Sequence, residues 1–306
     1  MPESRQQLTV VADDGIELFV ETWPAERADA PLVLGLHGLS ANRLGFLPLI
    51  EQLAGEVEFV AYDARGRGRS GKPTDVNSYG HRRHAEDAAN VLAAMGRRAD
   101  VVVGQSMGAW DGLLLAAHHV ELVGALVLAD GGWFEDLPAN LKTPEFIDVT
   151  MGRGWYDRLT AVLPSRELVM SMLPTVAPYK DIWSPAAEEM LNEGLEDLPD
   201  GTVRNACYAP GVKFDTEDYF SPREAPYVKT DITSVTCPVH LVRATRGFDV
   251  SPDTEAPLIP EGAVEELRGV LPQLVVETVP DTNHFTVNFG AAGVTVLAEA
   301  VRKAIR

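Results

Sequence analysis

The chain has 306 residues, 45% of them apolar, and 26 basic against 45 acidic side chains give a formal net charge of −19. A field of that sign repels phosphate backbones and anionic lipid, which excludes nucleic acid and acidic membrane surfaces as partners. Two cysteines, Cys207 and Cys237, form neither a disulfide framework nor a zinc-ligand spacing, so two free thiols and no metal are expected.

The N-terminal stretch MPESRQQLTVVADDGIEL lacks the apolar run of a signal peptide, and no uncharged apolar run reaches the length of a membrane span. A cytoplasmic protein is expected. Two alternating segments, QLTVV and IELFVETW, flank the turn signal ADDG and predict an antiparallel hairpin. Compact runs rich in Val and Leu follow at 31–38, 57–63, 100–106 and 122–130, the pattern of strands buried on both faces. Helical stretches at 43–54, 79–97 and 107–119 separate them, so the alternation predicts a parallel sheet covered by helices. The rhythm stops near Gly131 and resumes at 237–245, followed by a helix at 261–271, a strand at 274–279 and a last helix from about 291 to 305. Residues 133–232 are rich in proline and aromatic side chains, with helical patches near 144–151, 165–173 and 185–196. An insertion of this size between strands six and seven predicts a mainly helical cap over the edge where open α/β sheets bind ligands. The core domain is then 1–132 with 233–306, and the cap is 133–232. Trp133, Trp155 and Trp183 either line a pocket or pack the cap onto the sheet.

Gly104-Gln105-Ser106-Met107-Gly108 follows a buried strand directly and opens a helical run. In that context G-x-S-x-G places a serine hydroxyl on a tight turn at the edge of the sheet, which makes Ser106 the candidate nucleophile. An acyl-transfer enzyme also needs N–H donors for the developing oxyanion. The backbone N–H groups of Met107 and of Leu39, after His37-Gly38, are the candidates. His37 itself reads as a structural hydrogen-bonding residue. Gly66-x-Gly68-x-x-Gly71 matches a dinucleotide fingerprint by letters, but Lys72-Pro73-Thr74 continues as loop where a helix is required, so no cofactor is expected.

Together HG after the third strand, DARGRGRS (63–70) after the fourth, GQSMG after the fifth and the late NHF resemble the α/β-hydrolase superfamily over about two thirds of the chain, the cap excepted. The resemblance implies a mostly parallel eight-stranded sheet, a framework role for the arginines of DARGRGRS, and His284 in PDTNHF as the catalytic base. His81, His84, His118 and His119 fall on predicted helices and are expected to be solvated or capping. The acid has two candidates. Most members carry it after the seventh strand, where the usual position is Gly247; Asp249 lies two residues late, and Asp253 and Glu255 are weaker. Asp130 ends the sixth strand, a position some members use, and it is preferred over the alternative Asp249 because the later loop departs from the family pattern.

The activity implied is a serine hydrolase cleaving an ester, lactone or thioester of a small apolar molecule through an acyl-enzyme. A carbon–carbon bond hydrolase of the same fold and a noncatalytic small-molecule receptor retaining the triad are the alternatives. The expected partners are a small-molecule substrate and a second copy of the chain. The charge disfavours a strongly anionic substrate unless arginines such as Arg43, Arg153 or Arg246 line the pocket.

Overall fold

The computed structural model describes residues 5–133, 147, 148, 150–220, 230–248, 250 and 254–306, the side chains of 219 and 220 excepted. Eight strands form one sheet: β1 (Gln6–Val11), β2 (Glu17–Trp23), β3 (Leu32–Leu36), β4 (Glu58–Tyr62), β5 (Val101–Gln105), β6 (Leu126–Ala129), and later β9 (Val239–Ala244) and β10 (Leu274–Val279). The spatial order is β1-β2-β4-β3-β5-β6-β9-β10. β1 and β2 form the antiparallel hairpin and β2 joins β4 antiparallel; every later pairing is parallel.

The continuous apolar runs are explained by helices on both faces. Leu32, Leu34 and Leu36 of β3, Val102 of β5, and Leu126 and Leu128 of β6 pack in one cluster with α2 (His81–Met95), α3 (Met107–His118) and α8 (Glu261–Val270). Val33, Val101, Val103, Val127 and Ala129 face the other way, onto α1 (Leu47–Gln52) and α9 (Ala291–Ile305). On α2 the buried positions 81, 84, 85, 88, 91 and 92 follow helical spacing and form the stripe that meets the sheet, and Asp87 and Ala89 are buried beside it. The stretch expected as one helix over 43–54 divides into a 3-10 turn, Arg43–Phe46, and α1, with Pro48 in the first turn of the α-helix.

Between β6 and β9 the described residues form α4 (Trp155–Thr160), α5 (Arg166–Met172), α6 (Pro185–Glu193) and α7 (Ala209–Phe220), with a short antiparallel ribbon, β7 (Leu195–Asp197) and β8 (Val203–Asn205). Of the patch expected at 144–151, residues 147, 148, 150 and 151 are helical, and 144–146 and 149 lie outside the described residues. The ribbon is unexpected, because three-residue strands are too short to show alternation. Trp133 packs into the core with its Nε1–H donating to Glu266, whereas Trp155 faces the cavity described below.

His81 and His84 are buried, not solvated or capping. His81 Nδ1 lies 2.8 Å from Asp111, and His84 Nε2 lies 3.0 Å from Asp215 of α7. Burial lowers the affinity of His81 for a proton, but the Asp111 hydrogen bond and the charges of Asp111, Asp218 and Asp215 together outweigh it and the net shift is upward. Cys207 and Cys237 are free thiols, both pushed up to about 11 by burial and therefore protonated near neutrality. Among the described residues no helix is long and apolar enough to cross a membrane.

Candidate active site

Parallel register carries the ends of β3, β5, β6 and β9 to one edge: Leu36 pairs with Gly104, Gln105 with Ala129, and Ala129 with Val242. Whatever follows these residues converges there. Ser106 stands between β5 and α3 with φ 53° and ψ −116°, a left-handed conformation that costs a non-glycine residue on the order of 1–3 kcal/mol. Its flanking glycines are required by proximity. A Cβ at Gly104 would stand 2.2 Å from the Gly108 carbonyl oxygen, and one at Gly108 would stand 1.9 Å from that of Leu36. The turn turns the serine into a cavity of about 220 Å³ that Leu39, Met107 and His284 also line.

Neither the Leu39 nor the Met107 N–H has an acceptor among the described residues. The Leu39 loop is held from beneath. His37 is buried, its Nδ1–H donates to the Gly38 carbonyl at 2.7 Å, and its Nε2 accepts from the Ala64 N–H at 2.9 Å. Burial pushes His37 down to about 4, which keeps it neutral in that tautomer. Arg67, fully buried, donates from Nε to the Leu39 carbonyl and from Nη1 to the Arg65 carbonyl, each at 2.9 Å, and pairs through Nη2 with Asp215 at 2.6 Å. Burial alone would raise the Asp215 carboxyl; His84 and Arg67 hold it well below the usual carboxylate range instead. Residues 66–71 stay in turns and open no helix.

Asp130 follows β6 at φ 46° and is fully buried. Its Oδ1 accepts from the Ala244 N–H at 2.9 Å, and its Oδ2 lies 2.7 Å from His284 Nδ1. A carboxylate accepts, so Nδ1 carries the proton and Nε2 keeps its lone pair. The His284 N–H donates to the Gly247 carbonyl at 2.9 Å, and the ring packs against Phe248 with centroids 4.5 Å apart. The Gln105 carboxamide lies 3.5 Å from His284 Nε2.

The loop after β9 has no room for an acid at its usual position. A Cβ at Gly247 would stand 2.2 Å from the Ala256 carbonyl oxygen and 2.5 Å from that of Thr254. Glu255 is exposed, and Asp249 and Asp253 lie outside the described residues.

Much of the remaining wall is apolar and aromatic, with Met151, Trp155, Tyr179, Phe248, Leu258 and Phe285, and Thr150, Asp215 and Thr216 add polar groups to it. Arg43, Arg153 and Arg246 do not line it; Arg43 is buried among Glu21, Asp63 and Glu193. The arginine that does is Arg158 of α4, which no motif marked.

A family model described as alpha/beta hydrolase fold matches residues 31–165. The chain is similar to 2-(acetamidomethylene)succinate hydrolase of Mesorhizobium japonicum, 33% identical over 105 residues, which is 34% of this chain and 37% of that protein. It spans about two fifths of the length of the curated relatives it matches. Among solved structures it resembles E-2-(acetamidomethylene)succinate hydrolase, with TM-score 0.75 and 22% identity over 99% of each chain. It also resembles the thioesterase domain from the curacin biosynthetic pathway, with TM-score 0.73 and 18% identity over 98% of this chain and 100% of that one. The chain has the α/β-hydrolase fold.

Proposed function

We propose that this chain, a member of the α/β-hydrolase superfamily, is a serine hydrolase that cleaves an acyl bond of a small organic molecule through an acyl-enzyme at Ser106. The observation that carries this reading is the His284–Asp130 hydrogen bond beside a cavity that Ser106 shares with Leu39 and Met107, whose N–H groups have no acceptor among the described residues. Residues 133–232 would serve as its cap, supplying Trp155, Arg158 and Tyr179 to the cavity wall.

In the proposed reaction His284 Nε2 takes the Ser106 proton as Oγ adds to the acyl carbonyl, whose electron pair moves to oxygen. In this reading the Leu39 and Met107 N–H groups receive that oxyanion. Asp130 stabilises the imidazolium without accepting its proton. The imidazolium protonates the leaving group as the acyl bond breaks. Water, deprotonated by His284, then releases the acid and restores Ser106.

Esters, lactones and thioesters are the first substrate classes, because their leaving groups need the least help. The relative named for 2-(acetamidomethylene)succinate favours one second reading, in which the same residues open a carbon–nitrogen or carbon–carbon bond. Turnover of p-nitrophenyl esters, lactones and acyl thioesters by purified protein, with fluorophosphonate labelling, tests the reading. Ser106→Ala is expected to abolish both labelling and turnover. Turnover that survives in the variant would overturn the mechanism, and labelling with no turnover of any acyl substrate would favour a receptor.

A further inference from the structure

Two charged side chains join His284 on the cavity wall, and they differ in whether their charge is answered. Asp215 is neutralised by Arg67 and His84. Arg158 has no carboxylate partner among the described residues. Its guanidinium donates from Nη1 to the Arg153 carbonyl and from Nη2 to the carbonyls of Met151 and Gly152, at 3.0 and 3.3 Å. That leaves Nε–H and one Nη1–H without a protein acceptor among the described residues, on an exposed side chain that its other hydrogen bonds hold in place. Tyr179 lies on the same wall, and its hydroxyl has no hydrogen-bond partner among the described residues. Burial raises the Tyr179 phenol and the nearby Arg158 charge opposes that rise, so the two groups act in one electrostatic neighbourhood. The Tyr179 ring packs 6.4 Å from Phe285, the neighbour of His284. A chain of net charge −19 thus lines its cavity with an exposed cation that has no carboxylate partner among the described residues and with a half-buried hydroxyl whose ring lies beside Phe285.

We propose that the cavity takes an acyl substrate bearing a carboxylate remote from the scissile bond, read by the Arg158 guanidinium and the Tyr179 hydroxyl. The inference rests on the serine-hydrolase reading and specifies its substrate class. The carboxylate supplies the acceptors these donors lack, in charge-assisted hydrogen bonds that lose strength when the charge is removed. With Nη2 held by the backbone, the guanidinium offers the carboxylate one charge-assisted bond from a fixed direction, where a lysine would keep the charge but lose the backbone contacts that aim it. The apolar wall between this end and Ser106 accommodates the connecting carbons.

Comparison of p-nitrophenyl hemiglutarate with p-nitrophenyl pentanoate tests the proposal, because the two acyl chains differ mainly in the terminal carboxylate. The protein is expected to prefer the hemiglutarate in kcat/KM by about tenfold or more. Arg158→Gln should bring that ratio near one, Arg158→Lys should retain part of it, and Tyr179→Phe should lower it about threefold, mainly through KM. Equal use of the two esters by the unaltered protein would overturn the inference, as would an Arg158→Gln variant that slows both alike and keeps the ratio, the behaviour of an arginine that only braces the 151–153 turn. If the pentanoate is turned over and Ser106 is labelled without a preference for the hemiglutarate, the substrate class alone fails. If Ser106 is not labelled and neither ester is cleaved, the hydrolase reading fails and takes this inference with it.

Discussion

The Nε of Arg67 donates to the Leu39 carbonyl at 2.9 Å, so a buried cation fixes the peptide that immediately follows one candidate oxyanion donor, the Leu39 N–H. Three diverging contacts use the guanidinium plane, and an ammonium can satisfy them only by moving. Arg67→Lys keeps the charge opposite Asp215 but releases the loop. A fall in kcat on the order of 10²-fold is expected, with KM changed much less. Steady-state kinetics on a neutral ester check it, and equal losses in kcat and 1/KM would speak against a loop effect.

Asp130 accepts two N–H bonds, from Ala244 and from His284. An asparagine of the same shape brings an NH₂ group that must face one of them, which disfavours the tautomer with the proton on Nδ1. Asp130→Asn is expected to lower kcat by roughly 10⁴ with little change in the unfolding midpoint. Asp249→Asn is expected to stay within about threefold of the unaltered kcat, far from the loss a triad acid shows. The reverse pattern in the two variants would reassign the acid.

Gly108 sits in a helix, where alanine ordinarily gains about 1 kcal/mol. Here the added methyl would stand 1.9 Å from the Leu36 carbonyl oxygen, a backbone atom that cannot rotate away. Steric cost outweighs propensity, and Gly108→Ala should lose about 1–3 kcal/mol in urea unfolding. A stabilised variant would mean that β3 and α3 are not held this closely.

His37 should leave a signature in stability against pH. Burial pushes it down to about 4 from 6.5, so between those values the unfolded chain binds a proton that the folded chain refuses. Stability contributed by this group is complete above pH 6.5 and is lost as pH falls toward 4, by roughly 3 kcal/mol. His81, shifted upward, contributes with the opposite sign and loses its contribution above pH 6.5, while the depressed Asp215 adds acid sensitivity only below about 4. His37→Asn should flatten the slope between pH 4 and 6.5 in urea titrations, and an unchanged slope would show that His37 does not carry it.

The positions of the strands along the chain and the turn at Ser106 were legible in the sequence because each depends on neighbours in the chain: apolar runs, a glycine pair and a helix start. Side-chain environments set by distant residues were not. His84 is dry because Asp215, 131 positions later, folds over it, and nothing near His84 announces that partner. The crowding at Gly247 comes from the carbonyls of Thr254 and Ala256 returning across the loop, so the letter G alone could not say that a side chain is shut out there. Of Arg153 and Arg158, it is Arg158 on the short helix α4 that lines the cavity and not Arg153 in the turn before it, a difference set by how that helix seats against residues far away in the sequence.

The buried pair of Arg67 and Asp215 bears on how freely the parts of this molecule could be exchanged. One charge belongs to the turn after β4 and the other to α7, and both are fully buried. Excising residues 133–232, or grafting a different insertion between β6 and β9, would leave the arginine beneath the Leu39 loop without its counter-charge, at a cost of about 3–5 kcal/mol. The sheet is therefore not a ready chassis for foreign lids. A transplant that is to keep the Leu39 loop in place must bring a carboxylate to the position of Asp215.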